Sequence, residues 1–494
     1  MSLLPASRIT PARIRVQNDC PVRPAGRYVL YWMVANRRVR FNLGLQRAVE
    51  WAQHLGLPLQ ILEALRADYP WASSRMHRFL LDGMHDNREL LGSARVGYHP
   101  YVESSIGAGK GLLARLADDA AVVVTDDFPA FFLRRMVNAA AQRVAVRMET
   151  VDANGVLPLM LAGRAYQRAF DFRRFMQRTL PGLFAERPQA DPLLSTRLPP
   201  CPPLAPDILQ RWPAANDHIL ARQGPALHML PIDHTVRPVA TPGGWRAARE
   251  TVGAFVRERM PAYASPGRER ALSISSGLSP YLHFGHISAW EVFSLVAAAE
   301  GWQPEHVAGE AGGAREGWWG MSPGAEAFLD QLIVWRELGF NTATFMPDFD
   351  TYPSLPDWAR ATLDAHRHDA REYVYTMEAF ETGRTHDPLW NAAQQQLRQE
   401  GMLPNLLRML WGKKILEWSA TPEAALETML RLNDRYALDG RDPNSCSDVF
   451  WVLGRYDRAW GPERPVLGKV RYMSSERMLR KIPQAYVSRY VGSA

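Results

Sequence analysis

The chain has 494 residues, 47% hydrophobic and 22% charged, a composition that excludes a disordered protein and a length that favours two domains over one core. Its 58 basic against 51 acidic residues give a net charge of +7, which suits a polyanionic partner such as nucleic acid. Three scattered cysteines (Cys20, Cys201 and Cys446) exclude a cysteine zinc site and point to a reducing compartment, and no apolar run reaches the roughly 20 residues that span a bilayer.

Residues 1–25 are basic and polar without an apolar core, so they read as a flexible arm and not as a secretory signal. A location in the cytoplasm, or with DNA in a nucleoid or nucleus, is expected. From 26 to 165 short apolar runs alternate with helical patterns. YVLYWMVA (28–35), LPLQILEAL (57–65), AVVVTDD (121–127) and VAVRMETVD (144–152) are strands, with helices over 43–55 and 128–142 between them. Strands buried on both faces and separated by helices imply an α/β domain with a doubly wound parallel sheet. SIGAGKGLLARL (105–116) imitates a phosphate loop, but its spacing departs from GxxxxGK[ST] and it reads as a turn.

Prolines punctuate 166–245, as in RLPPCPPLAPD (197–207), and mark an interdomain connector. From 246 to 494 the pattern is all-α. Ser322–Pro323 and Thr421–Pro422 each supply an N-cap followed by proline at the first helical position. Thirteen of the sixteen tryptophans follow residue 200. In LLRMLWGKKILEWS (406–419), Trp411 and Trp418 stand two turns apart on one helical stripe. Taken alone that stripe is as well explained by core packing.

Several colinear segments require a joint explanation: LSPYLHFG, THDPLWNA, WGKKILEW, LNDRYALDGRDPN, DRAWG and GKVRYMS. In this order, from about 270 to 480, they resemble the photolyase and cryptochrome flavoproteins, and among them the class II cyclobutane pyrimidine dimer photolyases. The resemblance implies an FAD-binding helical domain over 246–494 and an antenna-type domain over 26–165, with a deazaflavin or folate as a possible antenna chromophore. It implies that Trp390, Trp411 and Trp418 carry electrons to the flavin, with Tyr375 as a further donor. Leu410 stands where the class has a tyrosine. Arg408 and Asp439 match an ion pair beside the isoalloxazine, and Asn433 matches the amide facing flavin N5. Tyr263, Ser276, Leu278 and Ser279 match the phosphate and ribityl cradle. Gln331, Trp335, Met409 and Trp451 match the lesion pocket.

The implied activity is light-driven repair of cyclobutane pyrimidine dimers in damaged double-stranded DNA by a monomer. Departures from the class collect on the substrate side. Gln331 replaces a glutamate that titrates, Leu406 replaces a tyrosine, and SCSDVFW (445–451) replaces a run with two glycines and adds Asp448. The Arg-Asn-Asp run expected between Tyr263 and Leu278 is missing, and near residue 40 a signature pair of acids reads Arg40 and Phe41. These changes leave a second reading open, a cryptochrome-like flavoprotein that photoreduces FAD but has lost or changed its substrate.

Overall fold

Val29, Tyr31 and Met33 point to one face of a strand and Tyr28, Leu30 and Trp32 to the other, and both sets are buried. That two-sided burial commits the strand to the middle of a covered sheet. The computed structural model describes residues 4–194, 196–222, 225–265, 267 and 271–491. Residues 1–3 of the expected arm and parts of the 264–277 segment lie outside the described residues. The described chain forms two compact units, one of 1–162, 179–253 and 278–304, the other of 163–178, 254–277 and 305–494.

The first unit is built on six strands: β1 (Ile14–Val16), β2 (Tyr28–Met33), β3 (Leu59–Leu65), β4 (Gly97–Val102), β5 (Ala120–Asp126) and β6 (Met148–Val151). Their spatial order is β1-β6-β5-β2-β3-β4. All pairs are parallel except β1 on β6, where Ile14 lies opposite Val151. Ile14–Val16, inside the stretch expected to fray, therefore serves as an edge strand. Helix α1 (Leu43–Leu55) covers one face through Leu45, Ala48, Val49 and Ala52. Leu112, Leu116, Val137 and Ala141 cover the other. The second expected helix begins late, at Leu133, because Pro129 and the left-handed Phe131 (φ 58°) hold the preceding residues in a turn. Residues 105–111 form turns, as the sequence implied, and a short helix follows from Leu112 to Asp118.

The carboxyl end of β2 is closed by a buried acid. Asp126 accepts the backbone N–H groups of Val34, Ala35 and Asn36 at 2.8, 2.8 and 2.9 Å, and the Tyr31 hydroxyl at 2.7 Å. Three converging amides would otherwise bind an anion; here the chain supplies its own. Asn42 then caps α1 by accepting from Leu45 N at 3.1 Å. Arg40, the cation in place of a signature acid, pairs with Asp191 at 2.8 Å, so the change of sign has a matched partner. The proline-rich stretch contains short helices such as Pro206–Arg211 and clusters with the first unit from 179 to 253.

The second unit is helical throughout. Ser322 caps Pro323–Leu329 and Thr421 caps Pro422–Tyr436, each accepting from the amide three residues on. The helix opened by Ser322 changes pitch at Asp330–Trp335, which is π-helical, and resumes as Arg336–Phe345. Among the described residues no helix is long and apolar enough to cross a membrane.

Asp126→Ala strands three buried amides, so it is expected to cost about 3 kcal/mol in chemical denaturation, with Asp126→Asn costing less. A loss below about 0.5 kcal/mol for the alanine variant would contradict the closing role given to this acid.

Candidate functional site

Two glycines set how closely the central helices of the second unit approach. A Cβ at Gly339 would stand 2.8 Å from Asn444 Cα, and one at Gly412 would stand 2.5 Å from Val452 Cγ2. Helix Pro443–Val452 is thereby held against both Arg336–Phe345 and Asn405–Trp418. Pro422–Tyr436 packs on Asn405–Trp418 and on Pro443–Val452.

Arg408 lies buried where these helices meet. Its Nη2 donates to both carboxylate oxygens of Asp439 at 2.8 and 3.0 Å, and its Nη1 donates to Ser445 Oγ at 3.1 Å. Asn433 Nδ2 donates to the same Ser445 oxygen at 2.9 Å and to Asp434 Oδ1 at 3.2 Å. Burial alone would lower the guanidinium pKa, but Asp439, with Asp448 and Asp442 beyond it, outweighs that and raises it. The expected ion pair is therefore formed, and Asn433 is brought to it. Ser445 was grouped in the sequence with the altered lesion pocket. The structure instead makes it the bridge between Arg408 and Asn433, where a glycine could bond to neither.

Asp448, which stands in place of the second glycine, is deeply set but not sealed off. Burial pushes its carboxyl up to about 7; Arg408 opposes this, while Asp439 and Asp442 add to it. Gln331, Trp335, Leu406, Met409 and Trp451 share this half-buried condition. Gln331 and Trp335 both lie in the π-helical turn, a distortion that concentrates at functional sites. The Trp335 ring is 6.5 Å from Tyr456, whose hydroxyl meets Thr342 Oγ1 at 2.6 Å and Ser447 Oγ at 3.3 Å. Trp451 is supported by Lys413, whose Nζ lies 4.9 Å from the ring centre and donates to Val452 O at 2.5 Å. Burial lowers the Lys413 ammonium to about 7. Neither the π turn nor this lysine support was read from the sequence.

Trp390, Trp411 and Trp418, the tryptophans matched to a relay, are sealed, each no more than 4% exposed. Trp390 Nε1 donates to Trp411 O at 3.0 Å, and Trp411 Nε1 donates to Gln394 Oε1 at 2.9 Å. Trp390 and Trp418 stand 6.2 Å apart centre to centre, near edge-to-face, and Tyr375 follows at 5.9 Å from Trp418. Trp390, Trp418 and half-buried Tyr375 thus form a continuous run of aromatic rings, while Trp411 joins Trp390 through its backbone carbonyl.

The residues matched to the cofactor's phosphate and ribityl chain divide between the units. Tyr263 packs edge-on against Phe255 and Phe328 at 5.6 and 5.7 Å, and burial pushes its phenol up to about 12. Ser276 is half-buried in the same unit. Leu278 and Ser279 belong to the first unit, Leu278 buried and Ser279 exposed at the start of a short helix. Within the second unit, a buried cation, a neutral amide and a hydroxyl thus stand together. That set fits the polar rim of an electron-rich heteroaromatic ring such as an isoalloxazine.

Comparison with known proteins adds an independent line. A deoxyribodipyrimidine photo-lyase of Methanothermobacter thermautotrophicus is 34% identical over 483 residues, 97% of this chain and 98% of that protein. One from Oryza sativa subsp. japonica is 33% identical over 97% of this chain and 90% of its own length. One from Potorous tridactylus is 30% identical over 99% and 86%. Among solved structures, a bacterial class III photolyase from Agrobacterium tumefaciens has the same fold, with a TM-score of 0.64 at 17% identity over 94% of this chain and 86% of that one. No family model matches the chain.

Asp448 gives a stability signature with a definite sign. The folded carboxyl holds its proton up to about pH 7, whereas a freely solvated one loses it near 3.8, so the native state binds more protons between these limits. Its contribution to stability falls as pH rises through that window. Asp448→Asn is expected to raise the Tm at pH 8 by about 3 °C while leaving it almost unchanged at pH 4. Equal shifts at both pH values would contradict the assignment.

Proposed function

Because the chain belongs to the photolyase family, we propose that it is a light-driven DNA repair lyase that splits cyclobutane pyrimidine dimers with FAD held in its helical unit. The observation that carries this reading is the buried Arg408–Asp439 pair joined through Ser445 to Asn433. Bound FAD supplies light absorption and the transferable electron. The protein's residues do the rest.

Arg408 holds positive charge beside the ring and favours negative charge on it, while Asp439 offsets the burial of that cation. Asn433 meets the ring with an amide that can donate or accept, kept in one orientation by Ser445 and Asp434. Tyr263 and Ser276 are assigned to the cofactor's phosphate and ribityl chain. Trp390, Trp411 and Trp418 resupply electrons through the sealed interior, and Tyr375 follows them.

The half-buried face would take the lesion. Trp335 and Trp451 offer aromatic surface to a flipped-out pyrimidine dimer, and Met409 fills the gap between rigid rings. Gln331 donates a hydrogen bond from the π turn but cannot donate a proton. The net positive charge of +7 suits the phosphates of damaged DNA and makes binding sensitive to salt.

The test is an oligonucleotide carrying one thymine dimer, mixed with the FAD-loaded, reduced protein under near-UV or blue light. Recovery of thymine absorbance is expected in the light and not in the dark. Trp390→Phe should lose photoreduction of oxidised protein yet still repair when it is reduced chemically. Flat absorbance at saturating, fully reduced protein would refute the lyase reading.

A further inference from the structure

The relay ends on a phenol, and a phenol gives up an electron readily only when its proton has somewhere to go. Tyr375 has such a place. Its hydroxyl oxygen lies 2.7 Å from His386 Nδ1, and the backbone N–H of the same His386 donates to that oxygen at 2.9 Å. The phenol's own proton is free to point at Nδ1, the arrangement in which the imidazole carries its proton on Nε2. The imidazole is also part of the aromatic chain. It lies 4.8 Å from Trp418 in an edge-on contact and stacks on Tyr373 at 3.6 Å with 15° between the planes.

His386 is exposed, yet its loop is pinned. Thr385 N and Oγ1 both donate to Asn391 Oδ1, at 3.0 and 2.8 Å, and Asn391 Nδ2 returns a bond to Thr385 O at 2.8 Å. Asp387 caps the next helix through Leu389 N and Trp390 N at 2.9 and 3.1 Å, and its other oxygen accepts from Ser475. The imidazole is thus held in place while one edge stays open to water, as a proton exit requires.

We propose that His386 is the proton acceptor for Tyr375 at the outer end of the relay, an assignment that rests on the flavin and indole chain of the proposed function. When Trp418 has lost an electron inward, Tyr375 returns one electron to it. In the same step the Tyr375 O–H bond breaks and an N–H bond forms at His386 Nδ1. The products are a restored Trp418, a neutral Tyr375 phenoxyl radical and a His386 imidazolium, which then releases its proton to solvent. Charge and electrons balance: one positive charge leaves the indole and appears on the imidazole.

The charged and titratable groups around this step are Glu372 beside Tyr373, Arg384 in the loop and Lys414, whose Nζ is 5.5 Å from the Trp418 ring and 2.7 Å from Glu417. Lys414 discourages positive charge from resting on Trp418, which favours passing it outward.

The experiment is flash photolysis of the FAD-loaded, oxidised protein, following indole and phenoxyl radicals by transient absorption and spin resonance. In the unaltered protein the indole radical should give way to a phenoxyl radical, more slowly in heavy water. In His386→Phe, which keeps a ring for Tyr373, phenoxyl formation should slow on the order of 10²-fold, with partial rescue by added imidazole. His386→Gln, which accepts a hydrogen bond but cannot keep the proton, should behave like the phenylalanine variant. An unchanged phenoxyl rate and heavy-water effect in both variants would overturn the proposal while leaving the indole relay standing. Absence of any indole radical in the unaltered protein would overturn the relay and this proposal together.

Discussion

The helical unit is organised around one buried ion pair. A guanidinium removed from solvent is costly unless it is paired and its donors are satisfied, and Arg408 is buried. Asp439 must therefore turn inward. The loop that carries it closes tightly enough that a Cβ at Gly440 would sit 2.6 Å from Asn433 O. Ser445 takes the remaining guanidinium edge and hands the connection on to Asn433. One ion pair thus fixes the relative placement of three helical segments and presents a neutral amide beside a fixed cation, which is the arrangement an electron-donating heteroaromatic cofactor needs.

Around that centre the unit separates two environments. The three indoles are sealed, with the N–H groups of Trp390 and Trp411 hydrogen-bonded, surroundings that would need little rearrangement if charge passed through. The residues assigned to substrate are only half-buried and stand on a helix whose pitch is broken at Gln331 and Trp335. A π turn gives up regular hydrogen bonding to re-aim side chains. Lys413, its ammonium lowered to about 7 by burial, supports the Trp451 ring from 4.9 Å.

Much of this was legible in the residues. Alternation placed β2, β3, β5 and β6, and Ser322, Thr421 and Asp387 act as the helix caps their types announced. Strands β1 and β4 were missed. Ile14–Val16 is only three residues long, and Gly97–Val102 carries Pro100, so neither has the composition of a buried strand. The pitch change at 330–335 was invisible because its residues fit an ordinary helical pattern. Ser445 was misread for a different reason: sequence position put it beside Asp448 and Trp451, and only the fold turns its hydroxyl toward Arg408. His386 was passed over as part of a helix-start motif, since nothing local announces that it meets a tyrosine eleven residues earlier.

The most direct test of the central claim, that Arg408, Asp439 and Asn433 frame a flavin, is an equilibrium titration of the purified protein with FAD, read by loss of flavin fluorescence and by the melting temperature. The account expects saturable uptake of one FAD per chain with a matching rise in Tm, and weaker uptake by Arg408→Leu even when that variant remains folded. A folded protein that takes up no FAD, or an Arg408→Leu variant that binds it with unchanged affinity, would contradict it.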